Sequence, residues 1–128
     1  MPRDPRFDIL FEPVAIGPVT APNRFYQVPH CTGMGYRRPQ TLAAMRGVKA
    51  EGGWGTVCTG YCSIHPSSDD EPFPTDTLWD DHDVSSLAMM VDRVHEHGAL
   101  AGVELWQGGA GRETFYSRER HLGPASRP

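Results

Sequence analysis

The alternation of strand-like and helix-like segments constrains the fold of this chain more than any other feature of its sequence. Strand patterns at residues 23–29, 54–61 and 100–106 are separated by two segments with helical spacing, which begin near Thr41 and Asp83. Strands that alternate with helices through short connections form parallel sheets. The sequence therefore predicts an α/β fold, which is either a barrel or a doubly wound sheet.

Glycine positions mark the ends of the predicted elements. Residues 11–21 form two short extended segments around Gly17-Pro18, which predicts a hairpin. Gly52-Gly53 should end the first helix, and Gly98 should end the second helix in the left-handed conformation. The loop over residues 63–81 is long enough to carry function. The second helix is expected to bury one apolar face, made of Val84, Leu87, Val91 and Val94.

Composition limits the kinds of partner and compartment. With 128 residues, 38% of them hydrophobic, the chain can form one small globular unit. The net charge of −4 gives no electrostatic reason to expect nucleic acid or an anionic membrane as a partner. No apolar run suits a signal peptide or a membrane span, so we expect a cytoplasmic location. The three cysteines cannot all pair within the chain and are expected to be thiols.

Reactive side chains gather where the predicted strands end, which is where parallel barrels carry their active sites. His30 beside Cys31 suggests a nucleophile with its base. Neighbours on a strand point to opposite faces, however, so we expect no direct pairing and favour a plain buried thiol at Cys31. Aromatic side chains at these ends are either core residues or pocket walls that suit an alkylammonium ion. The residues concerned are His30, Cys31, Tyr61, Cys62, Trp106 and Gln107.

Two further features have open interpretations. Glu104 interrupts an apolar strand, and a buried carboxylate there needs either an ion pair, for example with Arg24, or a polar ligand. The glycine-rich residues 108–111 lack the spacing of a phosphate-binding loop, so we expect close backbone packing.

Metal binding is not expected. Cys58, Cys62 and His65 lack the usual C-x2-C pair and a fourth zinc ligand, and Cys58 is expected in the core. The acidic pairs Asp69-Asp70 and Asp80-Asp81 suit a solvated loop and a helix N-terminus.

A resemblance to a known family extends over nearly the whole chain. It is carried by residues 3–5, 8–13, 23–31, 48–54, 61–64, 68–70 and 98–106. These stretches resemble the start of the trimethylamine, dimethylamine and histamine dehydrogenases, a group within the old yellow enzyme family. The resemblance implies an FMN-binding (β/α)8 barrel, of which residues 1–128 are an incomplete N-terminal segment.

The same resemblance implies roles for individual residues. Cys31 matches the cysteine that bonds covalently to the flavin, Glu104 would meet the pyrimidine edge of the flavin, and Tyr61 favours a tertiary methylated amine. Gly60 stands where a glutamate is expected, and Gln107 where a tyrosine is expected. The implied cofactor-binding residues are Val28, Pro29, His30, Cys31, Gly60 and Glu104, and the implied substrate-binding residues are Tyr61 and Trp106.

For the full-length enzyme, the resemblance implies further parts beyond Pro128. These are the acid–base residues, a 4Fe–4S cluster and a bound nucleotide, with a small amine as substrate and an electron-transfer protein as acceptor. A homodimer is compatible with it. Because a barrel of this type needs about 250 residues, we expect the isolated chain to be inactive. Two alternatives stay open: an NADH:flavin oxidoreductase of the ene-reductase type, and a non-catalytic remnant.

Overall fold

The computed structural model describes residues 4–68, 71–110 and 114–125. A 3-10 helix over Pro5–Phe11 leads into an antiparallel hairpin of β1 (Val14–Ile16) and β2 (Val19–Ala21). Gly17 makes the turn with a φ of +57°, which glycine adopts without strain. The predicted hairpin is confirmed, but its first strand begins later than predicted. Within the described ranges, no helix is long and apolar enough to cross a membrane.

Three parallel strands form the central sheet, in the order in which they occur along the chain. They are β3 (Tyr26–Gln27), β4 (Thr56–Ser63) and β5 (Leu100–Trp106). The bounds of β5 are those predicted, whereas β4 is displaced by two residues. The strand β3 is much shorter than predicted, because Asn23 folds back to accept a hydrogen bond from the Phe25 N–H and Pro29 has no N–H to donate.

The first helix, α1 (Pro39–Glu51), begins before the predicted cap at Thr41. Proline is favoured in the first turn of a helix, because its fixed φ suits the helix and the N–H that it lacks would have no partner there. No side chain caps this end, so the prediction of Thr41 as the cap was wrong. The helix ends at Glu51, before Gly52-Gly53, as predicted.

The second helix, α2 (Asp81–His95), also begins earlier than predicted. Asp80 is its cap, and its carboxylate accepts hydrogen bonds from the backbone N–H groups of His82 and Asp83. Asp83, the predicted cap, lies inside the first turn and accepts a hydrogen bond from the Trp79 backbone N–H at 2.8 Å. Gly98 follows the helix with a φ of +73°, as predicted.

The core lies between one face of the sheet and the two helices, which also pack on each other. Of the apolar positions predicted on α2, Leu87 and Val94 are buried and Val91 packs against the core, but Val84 is half exposed. Met90 takes the inward position instead. The buried cluster consists of Leu42, Ala43, Ala50, Val57, Met90, Val94 and Ala99.

A bulge in β4 decides which side chains leave the core. Cys58 pairs with Gly102, but the next pair is Tyr61 with Glu104, so β4 carries one extra residue between the two pairs. Because Val57 and Ala101 face the helices, their neighbours Cys58 and Gly102 face the other way. We call this second side of the sheet the open face. It carries Tyr26, Cys58, Tyr61, Glu104 and Trp106.

Candidate functional site

Two aromatic side chains meet at the carboxyl ends of β4 and β5. The ring centroids of Tyr61 and Trp106 lie 5.2 Å apart with their planes inclined by 43°. The Tyr61 hydroxyl lies 3.5 Å from a carboxylate oxygen of Glu71. The indole N–H of Trp106 is buried and has no hydrogen-bond partner among the described residues. A small pocket next to Tyr61 is lined by Ser63, Glu71, Phe73, Asp76 and Trp79, among others.

Glu104 is exposed, so the prediction of a buried carboxylate was wrong. Its strand lies at the edge of the described sheet, and nothing in the described chain covers the open face at this point. The predicted ion pair with Arg24 is not formed, because the Arg24 Nε–H donates to the carbonyl of Ile9 at 2.9 Å. The Glu104 carboxylate therefore stays accessible beside its register partner Tyr61.

The segment after β3 lies along β4 and carries the predicted flavin contacts. The His30 N–H donates to the carbonyl of Thr59 at 3.1 Å, which continues the strand pairing. Val28 is 63% exposed and His30 is exposed, whereas Pro29 and Cys31 are half-buried. Cys31 is thus more accessible than Cys58 and Cys62, which are buried thiols. The interpretation of Cys31 as a plain buried thiol is therefore wrong.

Arg46 is a functional candidate that the sequence analysis did not identify. It lies on the buried face of α1 with 0% exposure. Its guanidinium donates to the Gln27 side-chain oxygen at 2.9 Å and to the His30 carbonyl at 2.5 Å. Burial lowers the pKa of this guanidinium, and the nearby charge of Asp76 opposes that effect. Its position, four residues after Leu42 and four before Ala50, was the available sequence signal.

Asp76 is the second residue that the sequence analysis missed. It is 1% exposed, and neither carboxylate oxygen has a hydrogen-bond partner among the described residues. Burial raises the pKa of Asp76 to about 6, although the charge of Arg46 works in the opposite direction. A Cβ at Gly60 would lie 2.7 Å from one of these oxygens, and a Cβ at Gly35 would lie 1.3 Å from the other. The carboxylate therefore fills the space that side chains at positions 35 and 60 would need.

The position of this carboxylate bears on a departure from the family pattern. Gly60 stands where the resemblance predicts a glutamate, and the space beside Gly60 holds the Asp76 carboxylate and the backbone of Cys31. An acidic group thus reaches the end of β4 from the following loop.

The weak zinc pattern does not assemble. The Cys58 thiol donates to the Tyr26 hydroxyl at 3.1 Å, the Cys62 thiol lies 3.6 Å from the Thr59 hydroxyl, and His65 bonds Ser67. Burial raises the pKa of Cys62 to about 12, so this thiol stays protonated at neutral pH. Within the three described ranges, no group of three or more histidine, cysteine or acidic residues could hold a metal ion. Asp69-Asp70 and Gly111 lie outside the described residues.

Parallel strands with both helices on one face, and polar and aromatic side chains at the strand carboxyl ends, are the arrangement of a segment of a (β/α)8 barrel. The sequence model of the NADH:flavin oxidoreductase / NADH oxidase family matches residues 9–126. The chain belongs to that family. The predicted FMN-binding barrel fold is thereby confirmed, and the doubly wound alternative is excluded.

The relatives with more than half of their aligned residues identical to this chain have names that refer to amines. The chain is 54% identical over 125 residues to dimethylamine dehydrogenase from Hyphomicrobium sp. (strain x), which covers 98% of this chain and 17% of that protein. The structure of histamine dehydrogenase from Rhizobium sp. 4-9 matches with a TM-score of 0.90 and 51% identity, over 98% of this chain and 19% of that one.

A second solved structure supports the same grouping. It is the 6-hydroxypseudooxynicotine amine oxidase from Pseudomonas geniculata N1, with a TM-score of 0.85 and 53% identity. The match covers 91% of this chain and 18% of that one. The chain therefore spans less than a fifth of the length of these relatives, and the predicted resemblance to the amine dehydrogenase group is confirmed.

The residues at the strand ends fit a flavin. Glu104 offers an exposed carboxylate that can accept a hydrogen bond from a ring N–H. Val28 and His30 are exposed and Pro29 is half-buried, and the buried indole N–H of Trp106 has no partner in the described part of the chain. Together, the Glu104 carboxylate, the segment from Val28 to His30 and the Trp106 indole offer polar and apolar groups to a planar ring system at the open face.

Proposed function

We propose that the full-length protein is an FMN-dependent dehydrogenase that oxidises a small methylated amine. In this proposal, FMN lies against Val28, Pro29, His30, Gly60 and Glu104 and is attached covalently to Cys31. Tyr61 and Trp106 form part of the substrate pocket. FMN, when bound, supplies the acceptor for the two electrons that leave the substrate.

The observation that carries the proposal is the grouping of Glu104, Tyr61 and Trp106 at adjacent strand ends. Glu104 is the register partner of Tyr61, and the Tyr61 and Trp106 rings are 5.2 Å apart. Aromatic faces attract alkylammonium ions by about 0.5–2 kcal/mol, depending on how far the site is desolvated. The aromatic pair is therefore suited to a small cationic substrate, and the neighbouring Glu104 carboxylate is suited to accept a hydrogen bond from a flavin ring N–H.

The relatives support the amine class and leave the particular amine to be tested. Their names refer to dimethylamine, histamine and 6-hydroxypseudooxynicotine, which differ in size and polarity. Tyr61 favours a tertiary methylated amine such as trimethylamine, because a large aromatic wall accommodates methyl groups without requiring an N–H donor. We also infer, from the resemblance alone, a 4Fe–4S cluster and a protein electron acceptor for the full-length enzyme.

The experiment that tests this function is an oxidation assay of the full-length protein with an artificial electron-accepting dye. Trimethylamine, dimethylamine and histamine are the substrates compared, and we expect the highest kcat/KM with trimethylamine. Tyr61→Phe, which keeps the ring, should retain most of the activity, whereas Tyr61→Ala should lower kcat/KM about tenfold or more. A protein that oxidised none of these amines but reduced activated alkenes with NAD(P)H would instead be the ene-reductase type.

Covalent attachment has its own test. The intact mass of the denatured full-length protein should exceed the polypeptide mass by one FMN, and Cys31→Ser should abolish that increment. Cys62→Ser is the matched control, because Cys62 is a buried thiol and should leave the increment unchanged. Loss of all flavin on denaturing the unmutated protein would contradict attachment at Cys31 without contradicting amine oxidation.

A further inference from the structure

We propose that Asp76 is a positioning residue for the Cys31 segment, and that its negative charge slows the reaction of the Cys31 thiol with electrophiles. The effect on the thiol follows from the contacts of this chain alone. Any effect on a bound flavin rests on the function proposed above.

The Asp76 carboxylate and Cys31 lie on either side of Gly60. A Cβ built on Gly60 would lie 2.7 Å from an Asp76 oxygen and 2.9 Å from the Cys31 Cα, so this one small space separates the carboxylate from Cys31. The backbone around Asp76 is fixed as well, because its carbonyl accepts from the Ser63 N–H at 3.0 Å and the Thr75 carbonyl accepts from the Tyr36 N–H at 2.6 Å. The carboxylate is thus held beside Cys31 from both ends of the loop.

The Asp76 carboxylate makes no hydrogen bond among the described residues that would explain its burial. Burying a carboxylate without hydrogen bonds is costly, and neither Asp76 oxygen has such a bond among the described residues. Arg46 is the cation that compensates the Asp76 charge. Its buried Nε–H has no partner among the described residues, and its other N–H groups donate to Gln27 and His30. The two charges therefore lie on either side of the segment after β3 that carries His30 and Cys31, and they form no direct hydrogen bond with each other.

Titratable and charged groups reach the surroundings of Cys31 and Asp76 from each packed element. Arg46 comes from α1, Cys62 from β4 and Asp83 from α2, while Cys31 follows β3. Of these groups, Cys62 stays neutral because burial raises its pKa to about 12. Arg46 is a fixed cation, whereas the charge of Asp76 changes near neutral pH, since burial raises its pKa to about 6.

The test is the rate of Cys31 alkylation by iodoacetamide in the full-length protein, measured from pH 5 to 9 for the unmutated protein and Asp76→Asn. Peptide masses separate Cys31 from the other two cysteines. A negative charge next to a thiol disfavours the thiolate, which is the reactive form, so removing the charge should speed alkylation. Because a less basic thiolate is also less nucleophilic, we expect a rate about threefold higher at pH 7.5. The two proteins should react equally at pH 5, because Asp76 is then mostly protonated and position 76 is uncharged in both.

Two further variants make the result decisive. Asp76→Ala is a second charge-free variant and should show the same rate ratio, whereas Asp92→Asn, which removes an exposed carboxylate on α2, should leave the Cys31 rate unchanged. Equal Cys31 rates in the unmutated protein and in both Asp76 variants at every pH would overturn the proposal and leave Asp76 with a packing role only.

If flavin occupies Cys31 in the purified protein, the visible flavin spectrum replaces the alkylation rate. We expect a spectral change with a midpoint near pH 6 that disappears in Asp76→Asn, because burial raises the pKa of Asp76 to about 6. A bound flavin whose spectrum does not respond would overturn the role of Asp76 and leave the proposed function intact. A full-length protein without flavin would overturn the proposed function, and the thiol assay would still decide the role of Asp76.

Discussion

The adjacent strands β4 and β5 differ in burial in the direction opposite to their hydropathy. All residues of β4 except Tyr61 are buried, although the strand contains Thr56, Thr59 and Ser63. No residue of β5 is fully buried, although its sequence is Leu-Ala-Gly-Val-Glu-Leu-Trp. The cause is placement: within the described chain β4 has a neighbouring strand on each side, whereas β5 has one. Burial in this chain is therefore set by position in the sheet and not by the residues of the strand alone.

The largest effect should come from Arg46, on the well-packed side of this comparison. Arg46→Met removes the donors to Gln27 and His30 and leaves the Asp76 charge uncompensated. We expect a loss of about 3–5 kcal/mol in the free energy of unfolding, measured by urea denaturation of the full-length protein. Arg93→Met, on the neighbouring helix, breaks only a half-exposed pair with Glu96 and should cost less than about 1 kcal/mol. Similar losses for the two variants would show that Arg46 has no special structural role.

The contrast between the two strands can be tested directly with Met90→Ala and Leu105→Ala. Met90 is fully buried in the core cluster that includes Val57 of β4, and its truncation should cost about 2–4 kcal/mol. Leu105 is 63% exposed in this segment, but a (β/α)8 barrel places a helix against each strand. In the full-length protein we therefore expect Leu105→Ala to approach the cost of Met90→Ala in urea denaturation.

Val84→Ala provides the baseline for that comparison, since Val84 is half exposed on α2 and should cost less than about 1 kcal/mol. If Leu105→Ala matched this baseline, the exposed side of β5 would be a property of the whole protein and not of the segment.

A smaller loss of stability should come from a substitution at Gly60, where β4 approaches the Asp76 carboxylate. Gly60→Ala should cost about 1–3 kcal/mol, because the new methyl group would lie 2.7 Å from the carboxylate and 2.9 Å from the Cys31 Cα. Part of this cost should vanish in an Asp76→Ala background, with a coupling of about 1 kcal/mol in a double-mutant cycle. Gly102→Ala, which meets the Cys58 sulphur instead, is the control that should show no coupling with Asp76.

The smallest effect is a pH dependence of stability that belongs to Asp76. Its usual pKa of 3.8 applies to the unfolded chain, and burial raises the pKa of Asp76 to about 6 in the folded chain. The folded state thus binds the proton more tightly, so this group stabilises the fold as the pH falls from about 6 towards 3.8. Between pH 7.5 and 5.0 the gain should be about 1.4 kcal/mol. Urea denaturation at both pH values should show this difference lost in Asp76→Asn, and an unchanged difference would assign it to other groups.

Local sequence patterns predicted the elements and the turns of this chain well. The bounds of β5, the hairpin at Gly17 and the left-handed Gly98 depend on residues close in sequence and could be predicted from it. The two helix caps were misplaced because several residues near each helix start could have served. Proline at position 39 and the free carboxylate of Asp80 decided the actual starting points.

The charged part of the site could not be predicted in the same way. Arg46 joins Gln27 and His30, and Asp76 reaches Gly35 and Gly60, so each contact connects residues that are far apart in the sequence. Glu104 was expected to be buried because its strand is apolar, but exposure depended on the neighbours of β5. The positions of Tyr61 and Trp106 at adjacent strand ends were predictable, because parallel strands end on the same side of a sheet.

The extra residue in β4 has a consequence for how variants of this chain should be interpreted. A strand without the bulge would direct odd-numbered and even-numbered residues to fixed sides over its whole length, and Tyr61 would then point at the helices with Val57. The bulge reverses this parity between Cys58 and Tyr61. Deleting Gly60 would consequently restore regular alternation and keep Tyr61 opposite Glu104, whereas straightening β4 without a deletion would turn Tyr61 towards the helices and Cys62 outward.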